Sequence, residues 1–144
     1  LDELERTVGD RLRVITAEAR SYLGVTSVGH RRYDVVVSDC FGGAEPVREL
    51  ATVEALRLVR GSLNPGGIYV ANIVSANRGS DVTFLRDCVA AALEVFAHAW
   101  VVPCGDAKFG GEENYLLIAS GGNYAFAEAV PFDTDFLGTV LHDK

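Results

Sequence analysis

The segment YDVVVSD at residues 33–39, continued by LATVEALRLVRGSLNPGGIYVANIVS at residues 50–75, decides the fold. Residues 33–38 form a nearly continuous run of β-branched apolar side chains, which is typical of a strand buried on both faces of a parallel sheet. A stripe of apolar residues at helical spacing follows Thr52, which is a good N-cap, and residues 68–74 form a second apolar run. Because one helix separates the two strands, we expect them to lie parallel with a right-handed crossover.

The flanking segments continue the alternation of strands and helices. Residues 12–16 are predicted to form a strand, residues 17–23 a short helical turn, and residues 82–96 a long helix. Two further strands, at residues 100–103 and 114–120, have no helix between them, so they are predicted to pair as an antiparallel hairpin at the sheet edge. The predicted fold is therefore α/β, with a Rossmann-like, doubly wound and mostly parallel sheet that ends in this hairpin.

Length and composition indicate one globular domain. The chain has 144 residues, of which 49% are hydrophobic and 23% are charged, and this balance is typical of a folded protein. We expect a single domain over residues 1–144, in which residues 121–144 form a C-terminal extension without a clear period. The chain contains no methionine and opens at Leu1 within a helix-like stretch, so we expect it to be a piece of a longer protein.

Charge and cysteine content exclude several functions. Thirteen basic residues against twenty acidic ones give a net charge of −7, which argues against sequence-independent nucleic-acid binding and leaves cationic small molecules open as ligands. No apolar run reaches the roughly 20 residues of a membrane helix. The three cysteines form no CxxC pair and the three histidines share no ligand spacing, so we expect a cytoplasmic protein without a metal site.

Candidate chemistry follows from the rule that ligands of open α/β sheets bind beyond the carboxyl ends of the strands. Glu18 follows the first predicted strand, Asp39 ends the second, and Asn72 and Ser75 end the third. Asp39 follows a buried run directly, so its carboxylate either serves function or binds backbone N–H groups of the next loop. Cys40 would need a histidine partner to act as a nucleophile, and none is evident.

Three stretches together resemble the spermidine synthases, which are polyamine aminopropyltransferases with the fold of class I S-adenosylmethionine-dependent methyltransferases. They are GDRLRVITAEARSYL at residues 9–23, YDVVVSDCF at residues 33–41, and residues 50–75. The resemblance runs from Leu1 to about Ser120. It implies a missing upstream part, because the family's glycine-rich motif and its ribose-binding acid would both precede Leu1.

The resemblance implies roles for particular residues. Asp39 matches the family's catalytic aspartate, which orients and helps deprotonate the attacking amine. Glu18 takes the place of the acid that contacts adenine, and with Ala19, Asp39 and Cys40 it would bind decarboxylated S-adenosylmethionine or methylthioadenosine. The candidate contacts of the amine substrate are Asn72, from its place at the end of a strand, and Glu45 and Asp106, which could replace the family's second carboxylate. The resemblance also implies a homodimer.

Departures from the family pattern leave the function open. Gly42 and Gly43 replace an aspartate and a proline, and Arg48 replaces an acid. A diamine needs a second carboxylate to bind its distal ammonium group, and a nearby arginine disfavours the binding of that group. The acceptor is therefore expected to be another amine. The alternatives are an S-adenosylmethionine-dependent methyltransferase and a non-catalytic dimerisation or regulatory domain, and these 144 residues alone are expected to be inactive.

Overall fold

The structure, a computed structural model, describes residues 2–28, 32–41, 47–76, 83–104 and 112–144. A four-stranded sheet lies at its centre. The strands are β1 (Tyr33–Phe41), β2 (Leu63–Ala76), β3 (His98–Pro103) and β4 (Glu112–Ser120). Their spatial order is β1-β2-β4-β3, in which β1 and β2 are parallel and the other two pairings are antiparallel. The predicted α/β class, the parallel strand–helix–strand unit and the antiparallel hairpin are confirmed.

Four helices accompany the sheet. They are α1 (Asp2–Val8), α2 (Ala19–Val28), α3 (Val53–Gly61) and α4 (Thr83–Val95), and short 3-10 turns lie at Gly9–Arg11, Arg48–Leu50 and Thr134–Phe136. The helix α2 contacts α3, which contacts α4, and both α3 and α4 contact β2. Among the described residues, no helix combines the length and the apolar character needed to cross a membrane.

The hydrophobic core lies between α3, α4 and one face of the sheet. Tyr69, Ala71 and Ile73 alternate along β2 and are buried, and Leu56 on α3 is 2% exposed. The ring of Tyr69 stacks on Phe96, with the ring centroids 6.2 Å apart. The predicted N-cap is confirmed, because the Thr52 hydroxyl accepts a hydrogen bond from the first turn of α3.

The turn between α3 and the regular part of β2 requires glycine. Gly66 has φ of +76°, a conformation that L-residues with a side chain rarely adopt. A Cβ added at Gly67 would lie 2.8 Å from the carbonyl oxygen of Asn64. The two glycines therefore allow the chain to reverse tightly and enter the sheet.

The strand β1 lies at an edge of the described sheet, which differs from the prediction that it is buried on both faces. Val35 and Val37 are 50% and 68% exposed. They lie on the face opposite the core, and β1 pairs with β2 alone among the described strands. The predicted burial is therefore wrong for these two valines, because no described element covers them.

The segment before β1 differs from the sequence prediction in two ways. Residues 12–16 carry no β-ladder, and Val14 and Ile15 are exposed. A strand exists only where a neighbour supplies hydrogen bonds, and no described strand lies beside them. The helix α2 also extends beyond the predicted turn, because the buried Thr26 hydroxyl lies 3.0 Å from that of Ser62 and anchors its second half.

The C-terminal extension is folded onto the helices. We call residues 132–143 the C-terminal strap. Its apolar residues pack against the core, and the Asp87 carboxylate on α4 accepts a hydrogen bond from the Thr139 N–H at 2.7 Å. The N–H of Val53 donates to the Leu141 carbonyl at 2.8 Å. The strap thus crosses α4 and reaches the N-terminus of α3.

The contrast between α3 and α1 gives a test of this packing. We expect Leu56→Ala to lower the free energy of unfolding by about 2–5 kcal/mol, because it leaves a cavity in the core. The matched control is Leu4→Ala on α1, where the side chain is 49% exposed, and we expect a change within about 0.5 kcal/mol. Urea unfolding measures both, and equal losses would contradict the described core.

Candidate functional site

A β-bulge brings two predicted site residues together. The register of β1 against β2 shifts between Ser38 and Phe41, so that Asp39 and Cys40 lie opposite the single residue Asn72. The Asn72 side-chain amide donates a hydrogen bond to Asp39 Oδ1 at 2.9 Å. Bulges bend a strand and redirect its side chains. The pair lies towards the carboxyl ends of two parallel strands, where the sequence analysis expected both residues.

The Asp39 carboxylate is accessible. Asp39 is exposed and Asn72 is half-buried. Asp39 follows Val35 and Val37 on the face of β1 that the helices leave open. Among the described residues, its hydrogen-bond partner is the Asn72 side chain and not a backbone N–H group. The alternative role, a cap of the loop after β1, concerns residues 42–46 outside the described ranges and stays a prediction.

Glu18 caps the N-terminus of α2. Its two carboxylate oxygens accept hydrogen bonds from the N–H groups of Arg20 at 3.0 Å and Ser21 at 2.7 Å. Hydrogen bonds from Ser21, and then from Arg20, lower the pKa of Glu18 below its ordinary value. A carboxylate at a helix N-terminus also interacts favourably with the helix dipole. Glu18 is therefore held as an anion at the start of α2.

Glu18 lines a cavity of about 740 Å³, which we call the polar crevice. Its walls are built by the start of α2, the turn before α3 and the end of the strap. They include Glu18, Arg20, Arg48, Thr52, His142 and Asp143. Arg48, the arginine that departs from the family pattern, lines this crevice, and its guanidinium lies 5.2 Å from the ring centroid of Phe84, which is not among the lining residues.

A clamp between α2 and the strap closes one side of the polar crevice. The Arg20 guanidinium contacts both carboxylate oxygens of Asp143, at 3.1 and 2.6 Å, and also donates to the Glu49 carbonyl at 2.7 Å. The Thr52 hydroxyl donates to Asp143 at 2.8 Å. A bidentate pair of this kind fixes orientation as well as distance. The sequence analysis did not identify Arg20 or Asp143, and nothing in their local patterns indicates the pair.

A second cavity, of about 310 Å³, lies between α2 and β1, and we call it the apolar groove. Ala19 and Cys40 line it together with Leu23, Val36 and Tyr69. The predicted nucleoside-binding residues are thus divided: Glu18 lies in the polar crevice, Ala19 and Cys40 lie in the apolar groove, and Asp39 is exposed on the open face of β1.

Several predicted residues lie outside the described part of the chain. They are Glu45 and Asp106, predicted to contact the amine, and the family departures Gly42 and Gly43. Within the described ranges, no three His, Cys, Asp or Glu side chains are grouped so that they could hold a metal ion.

Comparisons with known proteins found similarity in both sequence and fold. No protein-family model matches the chain. Over 79 residues, or 54% of its length, the chain is 32% identical to a probable polyamine aminopropyl transferase from Bifidobacterium longum (strain NCC 2705), of which it covers 17%.

Two solved structures share its fold. One is a probable spermidine synthase from Corynebacterium glutamicum ATCC 13032, with a TM-score of 0.72 and 22% identity over 99% of this chain and 60% of that chain. The other is a spermidine synthase in complex with the transition state analogue AdoDATO, with a TM-score of 0.60 and 18% identity over 84% of this chain and 41% of that chain.

The mixed four-stranded sheet with its helices is therefore that of the class I methyltransferase-like α/β fold. The chain is thus similar in sequence to a probable polyamine aminopropyl transferase over 79 residues and shares its fold with spermidine synthases, and it spans between about a sixth and three fifths of the length of these relatives.

The clamp predicts a loss of stability in acid. Hydrogen bonds from Arg20, and then from Thr52, lower the pKa of Asp143 below its ordinary value of 3.8. A pKa lowered by folding means that the ionised form stabilises the fold above pH 3.8 and that this contribution is lost as the pH falls through the lower, folded pKa.

We expect Asp143→Asn to lower the melting temperature at pH 7, and we expect this difference to shrink as the pH falls from 5 towards 3. Thermal unfolding across that range measures the effect. Asp135→Asn, an exposed position in the same strap, is the control and should leave the curve unchanged. A difference that is constant with pH would contradict an ionic role for Asp143.

Proposed function

We propose that the protein transfers an aminopropyl group from decarboxylated S-adenosylmethionine to an amine acceptor, with Asp39 as the catalytic carboxylate. The observation that carries this proposal is the exposed Asp39 carboxylate, held by Asn72 at the carboxyl edge of β1 and β2. The resemblance in the residues around Asp39 and the homology to a probable polyamine aminopropyl transferase support it. The complex of a spermidine synthase with AdoDATO supports the class of donor.

The reaction gives a carboxylate at this position two tasks. An amine is protonated near neutral pH, and its ammonium group is attracted to Asp39, which accepts one proton. The free nitrogen then attacks the carbon beside the donor's sulfonium. The C–N bond forms as the C–S bond breaks, and the bonding electron pair leaves with sulfur as a neutral thioether. The departing thioether needs no acid, so Asp39 can act as base throughout.

The nucleoside end of the donor is proposed to lie against Glu18, Ala19 and Cys40. Each carboxylate oxygen of Glu18 accepts one backbone N–H and keeps a further lone pair, so it can still accept a hydrogen bond from the amino group of adenine. Ala19 and Cys40 offer an apolar wall. These residues fit part of a nucleoside site, and the donor's remaining groups would need partners beyond them.

The acceptor is proposed to contact Glu45 and Asp106, and Asn72 lies beside the proposed base Asp39. Arg48 disfavours a simple diamine, because it stands where the resemblance places an acid, and a second ammonium group beside it would meet a like charge. We therefore propose another amine as acceptor. The match to this part of the family is incomplete, so a panel of amines is the appropriate test.

Two further features belong to the same proposal. A homodimer is proposed because the resemblance implies one. A cytoplasmic location is proposed because Cys40, Cys88 and Cys104 are all free, as is usual in a reducing compartment.

The catalytic role of Asp39 can be tested directly. In the protein as produced from its natural gene, we expect Asp39→Asn to lower the rate of methylthioadenosine release by about 10²–10⁴-fold, because the base is lost. Nucleoside binding should be largely retained. Asp34→Asn is the matched control: Asp34 lies near the other end of β1 and accepts a hydrogen bond from Asn64 at 2.8 Å. Normal turnover by Asp39→Asn would remove the mechanism.

Thermal-shift titration separates the candidate functions. The resemblance implies the fold of class I methyltransferases, which makes methyl transfer the second candidate. Stabilisation by methylthioadenosine or decarboxylated S-adenosylmethionine is expected for aminopropyl transfer, and a ligand at 100 times its Kd adds about 2.7 kcal/mol. Stabilisation by S-adenosylhomocysteine instead would indicate a methyltransferase. A melting temperature unchanged by every nucleoside would indicate a non-catalytic domain.

A further inference from the structure

Asn72 is an unusual residue for its position. It lies within the run IYVANIV of β2, a strand that is paired on both sides, with β1 and with β4. Its neighbours Ala71 and Ile73 are buried against the helices. Asn72 is half-buried, so its amide is partly removed from water, and this is unfavourable unless the amide has a hydrogen-bond partner. The partner here is Asp39.

The contact leaves the two oxygens of the Asp39 carboxylate in different environments. The Asn72 amide donates to Oδ1 at 2.9 Å. Among the described residues, no side chain other than Asn72 donates to this carboxylate, so Oδ2 has no such donor there. Asn72 is fixed by ladders on both sides of β2, whereas Asp39 lies in a bulge at the edge of the sheet. Asn72, on the strand paired on both sides, therefore fixes the orientation of Asp39 on the edge strand.

We propose that Asn72 is a positioning residue, which orients the Asp39 carboxylate so that Oδ2 faces the amine, and that it does not itself bind the substrate. This inference rests on the proposed function, because Asp39 is the group through which Asn72 acts. It also gives Asn72 a different role from the substrate contact expected in the sequence analysis, since one of its two amide N–H groups donates to Asp39.

The same two strands contain a matched pair. Asn64 of β2 donates to Asp34 of β1 at 2.8 Å, near the N-terminal ends of the two strands. Both pairs join the same two strands with the same chemistry, so they would make similar contributions if each only linked the strands. Only the pair at the carboxyl edge includes the proposed catalytic group.

The test compares Asn72→Leu with Asn64→Leu in the protein as produced from its natural gene. Leucine keeps a similar size and removes the donor. We expect Asn72→Leu to lower kcat for methylthioadenosine release by about 10–100-fold, because a misplaced catalytic group has an effect of this order. The KM for the amine should change less than threefold. Asn64→Leu should leave both constants unchanged, with a similar shift in melting temperature.

A double-mutant cycle distinguishes positioning from substrate binding. If Asn72 acts through Asp39, adding Asn72→Leu to Asp39→Asn should change the residual rate less than twofold. If Asn72 binds the amine itself, the two losses should multiply and KM should rise, which would overturn the inference. Asn72→Asp has the same shape as asparagine and serves as a second variant if the leucine variant unfolds. It should also lose kcat.

The two proposals fail in different ways. Normal kcat in both variants at position 72, with an active wild type, would overturn the role of Asn72 alone. No methylthioadenosine release by the wild type with any amine would overturn the proposed function, and this inference with it.

Discussion

The hydrogen-bond ladders on both sides of β2 are the constraint on which the rest of the structure depends. They hold β1 parallel on one side and β4 antiparallel on the other. Because side chains alternate along a strand, the ladders also decide what each face carries. Tyr69 and Ile73 point into the helix layer, and Asn72 points to the other face. The bulge in β1 brings Asp39 beside Asn72 because the position of Asn72 is set by the register of β2.

The elements that the sequence predicted well are those whose burial follows a local period. The apolar stripe of α3, the N-cap at Thr52 and the closing hairpin all follow from spacings of a few residues. The segments that were predicted wrongly depend on neighbours. Residues 12–16 have the composition of a strand without a described partner, and Val35 and Val37 have the composition of a buried strand on a face that no described element covers. Composition indicates what a segment favours, and only the tertiary structure supplies the partner.

In the candidate site, too, the features that follow from local patterns could be predicted and those that depend on tertiary neighbours could not. Parallel strands bring their carboxyl ends to one edge, so Asp39 and Asn72 could be expected near each other. Their direct hydrogen bond could not, because it depends on a one-residue irregularity in register that no local pattern marks. The capping role of Glu18 was also not foreseen. The roles of Glu45 and Asp106 stay predictions, since both lie outside the described residues.

The clamp between Arg20 and Asp143 has a consequence for how the chain folds. The two residues are 123 positions apart, and closing so long a loop carries an entropic cost that grows with the logarithm of its length. Contacts between sequence neighbours form earlier for the same reason. On a ribosome, Asp143 emerges long after β1, α3 and β2, so these elements can assemble while the start of α2 is still unsecured. The wall of the polar crevice that Glu18 shares with the strap is therefore completed only after Asp143 has been synthesised.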